Sequence, residues 1–468
     1  MKGDILKRVW GQGGSGWFEV VRPERRRRVI TLNTSKGVRY CSEWFGIVSF
    51  ATLSLSKGVL FFVLLVAFVG GFSSVNAGEA WSADTVIAPK IFVNTGFENA
   101  SPMNWEIDAQ GRVIGSLVYD HERFSQNRAN NHWHFKVEAP TGTEVTVILQ
   151  NFDNIWNNIH ASPISKQSPF VFSFDNKTWE TQLGEFLRDN RLQIKLKMNG
   201  PSVYIASIEP YRISDLDRFL AKIKNNKLVN ITQIGQTSEG RSLEIVRIGN
   251  EKAPKRLFLR GRAHAFEAGG NWTLEGFVNR LLQNDEASKR WFKRYCVYIL
   301  PMTNKDGVAR GKTRFNANGY DLNRKWDKAA DSLIAPENFY LEKWLRKMIN
   351  EKKKPDLALD VHNDNGGNLH LSRPDGDITT YLSNMAKLDS LLRKHTWYTE
   401  GSTKPGFRNP GTLGEGFMER FGIEAAVYEL NYEWVEGLKK APLAKDWLLL
   451  GSQLPNVFYD YFEEKTGK

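Results

Sequence analysis

Between residues 87 and 210, apolar side chains recur at nearly every second position. Strands are predicted at 112–119, 132–138, 144–149, 170–174, 192–197 and 203–208, separated by turns of Asn, Gly, Asp and Pro. Short strands at this spacing predict a small antiparallel β-sandwich. Past Glu209-Pro210-Tyr211 the period changes. Helices are predicted at 215–224 with Ser214 as N-cap, and at 271–283, 336–351, 379–394, 416–421 and 440–461. Buried strands fall between them at 242–248, 256–260, 296–300, 357–361 and 425–430. Such alternation predicts an α/β domain whose mixed, largely parallel sheet is flanked by helices. The chain therefore divides into an extension at 1–77, a sandwich at 78–210 and an α/β domain at 211–468.

The extension has its own pattern. Residues 58–72 read GVLFFVLLVAFVGGF, an apolar run of 15 after Lys57. Val75 and Ala77 are small residues at the −3 and −1 positions of a cleavage site. Basic flank, short apolar core and small-residue exit predict a signal peptide, and so export to the periplasm or the medium. A spanning helix needs about 20 residues. The apolar stretch 44–55 upstream nevertheless keeps an uncleaved N-terminal membrane anchor as the alternative. Residues 1–40 include Arg25-Arg26-Arg27-Arg28 but no periodic pattern, which suggests that translation begins near Lys57.

Composition excludes a disordered or collagen-like chain: 41% of residues are hydrophobic and 25% charged. The net charge of +12 does not indicate a nucleic-acid partner. Residues 1–77 hold 11 Lys and Arg against 4 Asp and Glu, and the rest of the chain holds 53 against 48. No nucleic-acid-binding motif accompanies that mild excess, so no such partner is expected. Of the two cysteines, Cys41 and Cys296, the second lies in an apolar run and reads as a buried structural thiol.

The candidate chemistry lies in four segments. Arg262-Ala263-His264-Ala265-Phe266-Glu267 follows one predicted strand and opens a helix, which places an imidazole and a carboxylate near one point. His362 ends the strand at 357–361, and ligands in α/β sheets gather outside the carboxyl ends of strands. Two His and one Glu are a ligand set for a single catalytic Zn²⁺. Residues 313–324 contain Arg314, Asn323 and Arg324. A guanidinium fork suits a substrate carboxylate or a developing oxyanion. Glu429 ends the last strand and is a candidate base for water. Glu424 and Glu433 lie outside that apolar run and are expected to be solvated. His132 and His134 share a strand face but lack a third ligand nearby, so they read as polar strand positions. Trp156 and Trp179 read as core or inter-domain packing.

The order of these segments resembles the zinc metallocarboxypeptidases, the carboxypeptidase A-like family. The match runs through His-x-x-Glu, Asn304-Lys305-Asp306-Gly307, Arg314, Asp321-Leu322-Asn323-Arg324, Asp360-Val361-His362 and Glu429-Leu430, over residues 215–462. Asn131-His132-Trp133-His134-Phe135 and Glu209-Pro210-Tyr211 are similar to the sandwich region of the cytosolic carboxypeptidase branch. A secreted bacterial relative of that branch is the resulting expectation. The resemblance implies a carboxypeptidase-like fold and one zinc ion held by His264, Glu267 and His362. It implies that Glu429 is the general base and then the general acid, and that Arg314 polarises the scissile carbonyl. Asn323 and Arg324 would grip the terminal carboxylate of a peptide or protein substrate, and Asp321 would orient a ligand histidine. Two departures stand out. The stretch 401–416, where many members carry a substrate-covering Tyr, has Phe407 and no Tyr, with Tyr398 just outside it. Lys305 replaces the usual Pro. The alternatives are a zinc amidase acting on cell-wall peptides or acylated amino acids, and a non-catalytic peptide- or carbohydrate-binding module.

Overall fold

A computed structural model describes residues 90–406 and 411–463, with four short strands inside the first 59 residues. Met1–Val86 and Ile87–Lys468 are separate compact units. In the first unit, Leu32–Thr34 pairs antiparallel with Gly37–Arg39, and Ser54–Leu55 with Gly58–Val59. The signal or anchor segment beyond Val59, its cleavage site and Phe407 lie outside the described residues. Among the described residues no helix is long and apolar enough to cross a membrane.

The second unit opens with the predicted sandwich. Its strands, in chain order, are β1 (Phe92–Asn94), β2 (Met103–Ile107), β3 (Val113–Leu117), β4 (Asp120–His121), β5 (Arg128–Ala129), β6 (His134–Glu138) and β7 (Glu144–Gln150). They continue with β8 (Asn154–Trp156), β9 (Ile159–Ala161), β10 (Pro169–Ser173), β11 (Glu180–Leu183), β12 (Glu185–Leu187), β13 (Arg191–Lys197) and β14 (Ser202–Ala206). One sheet has the order β11-β10-β14-β6-β1 and the other β12-β13-β7-β3-β2. Their alternate residues, such as Leu192, Ile194 and Leu196 on β13, meet Phe135, Val137, Val145 and Val147 in one apolar cluster. Burying each such side chain stabilises the sandwich by about 1.5–3 kcal/mol. Pairing is antiparallel except between β3 and β7, which run parallel. A parallel pair needs a long crossover, and residues 118–143 supply it. A third sheet, β9-β8-β5-β4, was not foreseen, because strands of two or three residues carry no readable period.

The α/β region contains α1 (Ile213–Ile223), β15 (Val229–Gln236), β16 (Ser242–Ile248), β17 (Lys255–Gly261), α2 (Ala268–Leu281), α3 (Glu286–Arg294), β18 (Tyr295–Leu300) and α4 (Lys305–Ala309). It continues with α5 (Pro336–Asn350), β19 (Leu357–Asp364), β20 (Leu369–Leu371), α6 (Thr379–His395), α7 (Leu413–Phe421), β21 (Glu424–Asn431) and α8 (Ala444–Phe462). The seven-stranded sheet has the order β15-β16-β18-β17-β19-β21-β20. Its centre, β18-β17-β19-β21, is parallel, and antiparallel strands close both edges. Alternation along the central strands feeds two cores. Leu257, Leu259, Leu357, Leu359 and Val361 pack with α1, α2, α6 and α8, whereas Phe258, Tyr298 and Ala358 pack with α5 and α7. Helices α2 and α8 approach through glycines: a Cβ on Gly276 would lie 2.2 Å from Leu448 O, and one on Gly451 would lie 1.9 Å from Thr273 O.

Several local expectations change. Ser214 is not the N-cap of α1; Arg212 is, and its N–H is held by Asp215 Oδ2 at 2.7 Å. Strand β15 was missed because most of its positions are half-buried or exposed. Helix α3 was missed because only Ser288 and Trp291 of its nine residues are buried. Cys296 is buried in β18 as expected, and burial pushes its thiol up to about 11.

Candidate active site

The parallel centre of the sheet delivers its strand ends to one edge. Just past β17, Arg262 takes a left-handed φ of 57°. Its guanidinium is fully buried and donates to Ala265 O at 2.7 Å and to Asn271 Oδ1 at 3.1 Å. That lock shapes the turn carrying His264 and Glu267, which ends at the N-cap of α2. On the neighbouring strand, Asp360 and His362 share a face, because side chains alternate along a strand. Arg260 of β17 stands opposite Asp360, and His362 stands opposite Glu429 of β21.

His264 Nδ1 lies 2.7 Å from Glu267 Oε1, and His362 Nδ1 lies 2.8 Å from Glu267 Oε2. The two Nδ1 atoms are 3.2 Å apart. Two nitrogens each about 2.0–2.1 Å from a tetrahedral zinc would sit roughly 3.3–3.4 Å apart. Both outer nitrogens are committed elsewhere: His264 Nε2 to Asp321 Oδ1 at 3.1 Å, and His362 Nε2 to Asp360 Oδ2 at 2.7 Å. Carboxylates there fix the tautomer that leaves each Nδ1 free to ligate. All three ligand residues are buried. The donor set, its spacing and its outer partners fit one zinc ion.

The electrostatics agree with a cation site. Burial opposes charge on Glu267, but the two imidazoles outweigh it and hold the carboxyl down at about 2. Burial likewise opposes charge on His362, yet Asp360, Glu267 and Glu429 raise its proton affinity well above the ordinary histidine range. Asp321 is also buried, but Arg314 and His264 keep it ionised. Burial pushes the Glu429 carboxyl well above the usual range, with Asp364 and Glu267 adding to the rise and His362 and Arg314 opposing it. Asp364, His370 and Glu429 form a second group whose ligand atoms lie within 4.8 Å of one another.

The loop after α4 carries the arginines. Arg314 donates from Nε to Asp321 Oδ2 at 2.8 Å. Arg324 donates from Nη1 to Asn323 O at 2.8 Å. Asn323 is buried; its Oδ1 accepts from Leu413 N at 2.9 Å, and its Nδ2 is 3.4 Å from His362 Nε2. All seven residues singled out in the sequence therefore lie on the same sheet edge or its adjoining loop.

Other readings are corrected. Of the two readings of Trp156, core or inter-domain packing, the second holds: its ring lies 4.5 Å from the Arg314 guanidinium carbon and 5.2 Å from that of Arg324, both in the α/β region. Trp179 likewise packs between regions, with Val171, Ala206 and Leu443. His134 opens β6 as a polar strand position and His132 lies two residues before it; both are buried, and the His132 N–H reaches Thr313 Oγ1 at 3.3 Å. Glu433 is buried and accepts from Ser168 Oγ at 3.1 Å, and Glu424 is half-buried against Asn384 and Tyr461, so neither is solvated. The Tyr398 hydroxyl is buried and accepts from Leu369 N at 3.0 Å, a packing role. Sequence reasoning also missed Asp120, whose carboxylate holds the arginine loop and which no local motif marks. Arg260 sits opposite Asp360 in the strand register, a signal that only the sheet order exposes.

Comparisons with known proteins agree with this geometry. The zinc carboxypeptidase family matches residues 216–362. A protein of Zymomonas mobilis is 26% identical over 273 residues, covering 56% of this chain and 69% of that one. Human cytosolic carboxypeptidase 2 is 26% identical over 183 residues, 36% of this chain but only 20% of the human protein. A metallo-carboxypeptidase structure from Burkholderia cenocepacia superposes with a TM-score of 0.69 at 17% identity, covering 80% of this chain and 98% of that one. One from Pseudomonas aeruginosa gives 0.69 at 20% identity, covering 80% and 100%. Such coverage takes in the sandwich as well, since the α/β region alone is little more than half of this chain. The resemblance read from the motifs thus extends to the fold of the bacterial metallo-carboxypeptidases, and the zinc carboxypeptidase match spans the segment from α1 to His362.

Proposed function

We propose that this chain is a zinc-dependent carboxypeptidase that hydrolyses the last peptide bond of substrates with a free terminal carboxylate. The observation that carries this reading is the convergence of His264 Nδ1, Glu267 and His362 Nδ1, with Glu429 in register beside His362. Zinc bound there supplies Lewis acidity toward water and the scissile carbonyl. Glu429 accepts the proton of the attacking water and passes it to the departing amine. Arg314 faces the negative charge that grows on the carbonyl oxygen. Arg324, with Asn323 beside it, takes the terminal carboxylate in its planar fork. Asp321 and Asp360 keep the two imidazoles oriented.

Peptides with free and with amidated C-termini test the proposal. The expected result is release of the last residue from the free peptides alone, abolished by a chelator and restored by zinc. Glu429→Gln should keep its zinc and lose about 10²–10⁴ in turnover. Equal cleavage of the two peptide sets, or a folded Gln variant as active as the wild type, would sink the reading.

Export is proposed on the apolar run and small-residue exit at 58–77. N-terminal sequencing of the mature protein should find a start close to Gly78. A start before Cys41 would rule that out.

A further inference from the structure

We propose that Trp156, contributed by the sandwich region, is a positioning residue that holds Arg324 for the terminal carboxylate and Arg314 for the scissile carbonyl in one fixed spread. The inference rests on the role given above to those arginines. The indole ring lies 4.5 Å from one guanidinium carbon and 5.2 Å from the other. Both distances are within the range at which a ring quadrupole attracts a cation, and tryptophan provides the strongest such face. Two like charges brought together repel, and Arg314 does lower the proton affinity of Arg324. A shared aromatic ring attracts both and so offsets part of that repulsion.

A packing role alone does not account for this tryptophan. Among the described residues, Trp156 joins none of the apolar clusters. It sits at the end of β8, just before a hairpin turn made by Asn157 and Asn158, both left-handed with φ of 50° and 64°. That turn type suits a tight two-residue connection. The strand is pinned on both sides of the ring. Asn154 Oδ1 accepts from Asn130 N at 2.7 Å, and Asn154 Nδ2 donates to Asn131 Oδ1 at 2.9 Å. Asn157 N donates to Asn127 Oδ1 at 2.8 Å. Five polar side chains or backbone groups thus fix the chain on both sides of an indole that meets two guanidiniums.

Three variants test this: Trp156→Ala, Trp156→Phe and Trp156→Leu, each checked for folding and assayed on free-carboxylate peptides. The Ala variant should raise KM about tenfold through Arg324 and lower kcat about three- to tenfold through Arg314. Phe, which keeps a π face, should recover most of the loss. Leu, which keeps bulk but no π face, should resemble Ala, and it carries the comparison if the Ala variant does not fold. An unchanged KM in a folded Ala or Leu variant, or equal behaviour of Leu and Phe, would overturn the inference. Wild-type protein that fails to release C-terminal residues would instead count against the function proposed above, so the two failures are distinguishable.

Discussion

The ligand shell and the arginine loop sit side by side but are built by opposite means. His264 and Glu267 share one turn, His362 and Glu429 are register partners, and Asp360 lies two residues before His362. That shell is assembled from strand ends that the parallel sheet aligns. The arginine loop is held from far away in sequence. The Asp120 carboxylate accepts from the backbone N–H groups of Arg314 and Phe315, both at 2.8 Å, and from Lys312 Nζ at 2.9 Å. Thr313 Oγ1 accepts from the N–H groups of Asn131 and His132. The candidate metal ligands all sit on α/β elements, whereas the arginine loop is also held by Asp120, Asn131 and His132 of the sandwich. Local spacing is the cheaper code for a site whose atoms must be very close; a substrate clamp tolerates remote control.

Asp321 belongs to both halves, since it accepts from His264 Nε2 and from Arg314 Nε. Its replacement should give the largest effect that spans them. Asp321→Asn turns one of its two acceptor oxygens into an N–H donor, facing either His264 Nε2 or Arg314 Nε, and leaves Arg314 without its counter-charge. Zinc affinity should fall about 10- to 100-fold, the usual range for an outer partner of a ligand histidine. Turnover should fall with it, because Arg314 loses its orientation. Metal titration and kinetics on the same preparation check this. A loss of turnover at full zinc affinity would mean that the two halves are uncoupled.

The same contrast explains what could be read from the chain. The candidate ligands and arginines were legible because His-x-x-Glu, Asp-x-His and the arginine segment are short local spacings, and Glu429 because it ends an apolar run. The fold class followed from a change of apolar period near Tyr211. What escaped was tertiary. Strands β4, β5, β8 and β9 are two or three residues long, and the sheet they make places Trp156 and Asp120 at the site. Nothing about Asp120 is unusual within its own segment; its three donors come from more than 190 residues away. Burial of His132 and His134 was likewise invisible, because a polar residue on an alternating strand looks exposed until another region covers it.

Asp120→Ala attacks the remote half alone. Three donors lose their acceptor, and hydrogen bonds to a charged group contribute about 1.5–3 kcal/mol each. Because water and relaxation recover part of that, we expect about 3 kcal/mol of lost stability in all. KM for free-carboxylate peptides should rise about three- to tenfold as the loop loosens, with zinc binding unchanged. Equilibrium denaturation, kinetics and metal analysis report the three quantities separately. A variant that loses zinc would show that the sandwich supports the ligand shell too, and the contrast drawn above would fail.

The smallest effect concerns stability rather than turnover, and it again separates the halves. His132 is buried where the sandwich meets the arginine loop, and burial holds it down at about 4, with its Nε2 against Asn99 O at 3.0 Å. His134 is depressed in the same direction, again by burial. A histidine whose folded-state proton affinity is lowered stays neutral in the fold, while the unfolded chain takes up the proton below about pH 6.5. The contribution is therefore complete above pH 6.5 and is lost progressively as the pH falls toward 4. For His132 alone, the loss between pH 7 and pH 5 should be about 2 kcal/mol. Acid also protonates the metal ligands, so the wild-type curve mixes both halves. His132→Gln removes one histidine and leaves the ligand shell intact. Subtracting its pH 7 to pH 5 change in unfolding free energy from that of the wild type isolates the remote half. A difference near zero would mean that the seam between the sandwich and the arginine loop admits water, and that the loop is held less firmly than its hydrogen bonds imply.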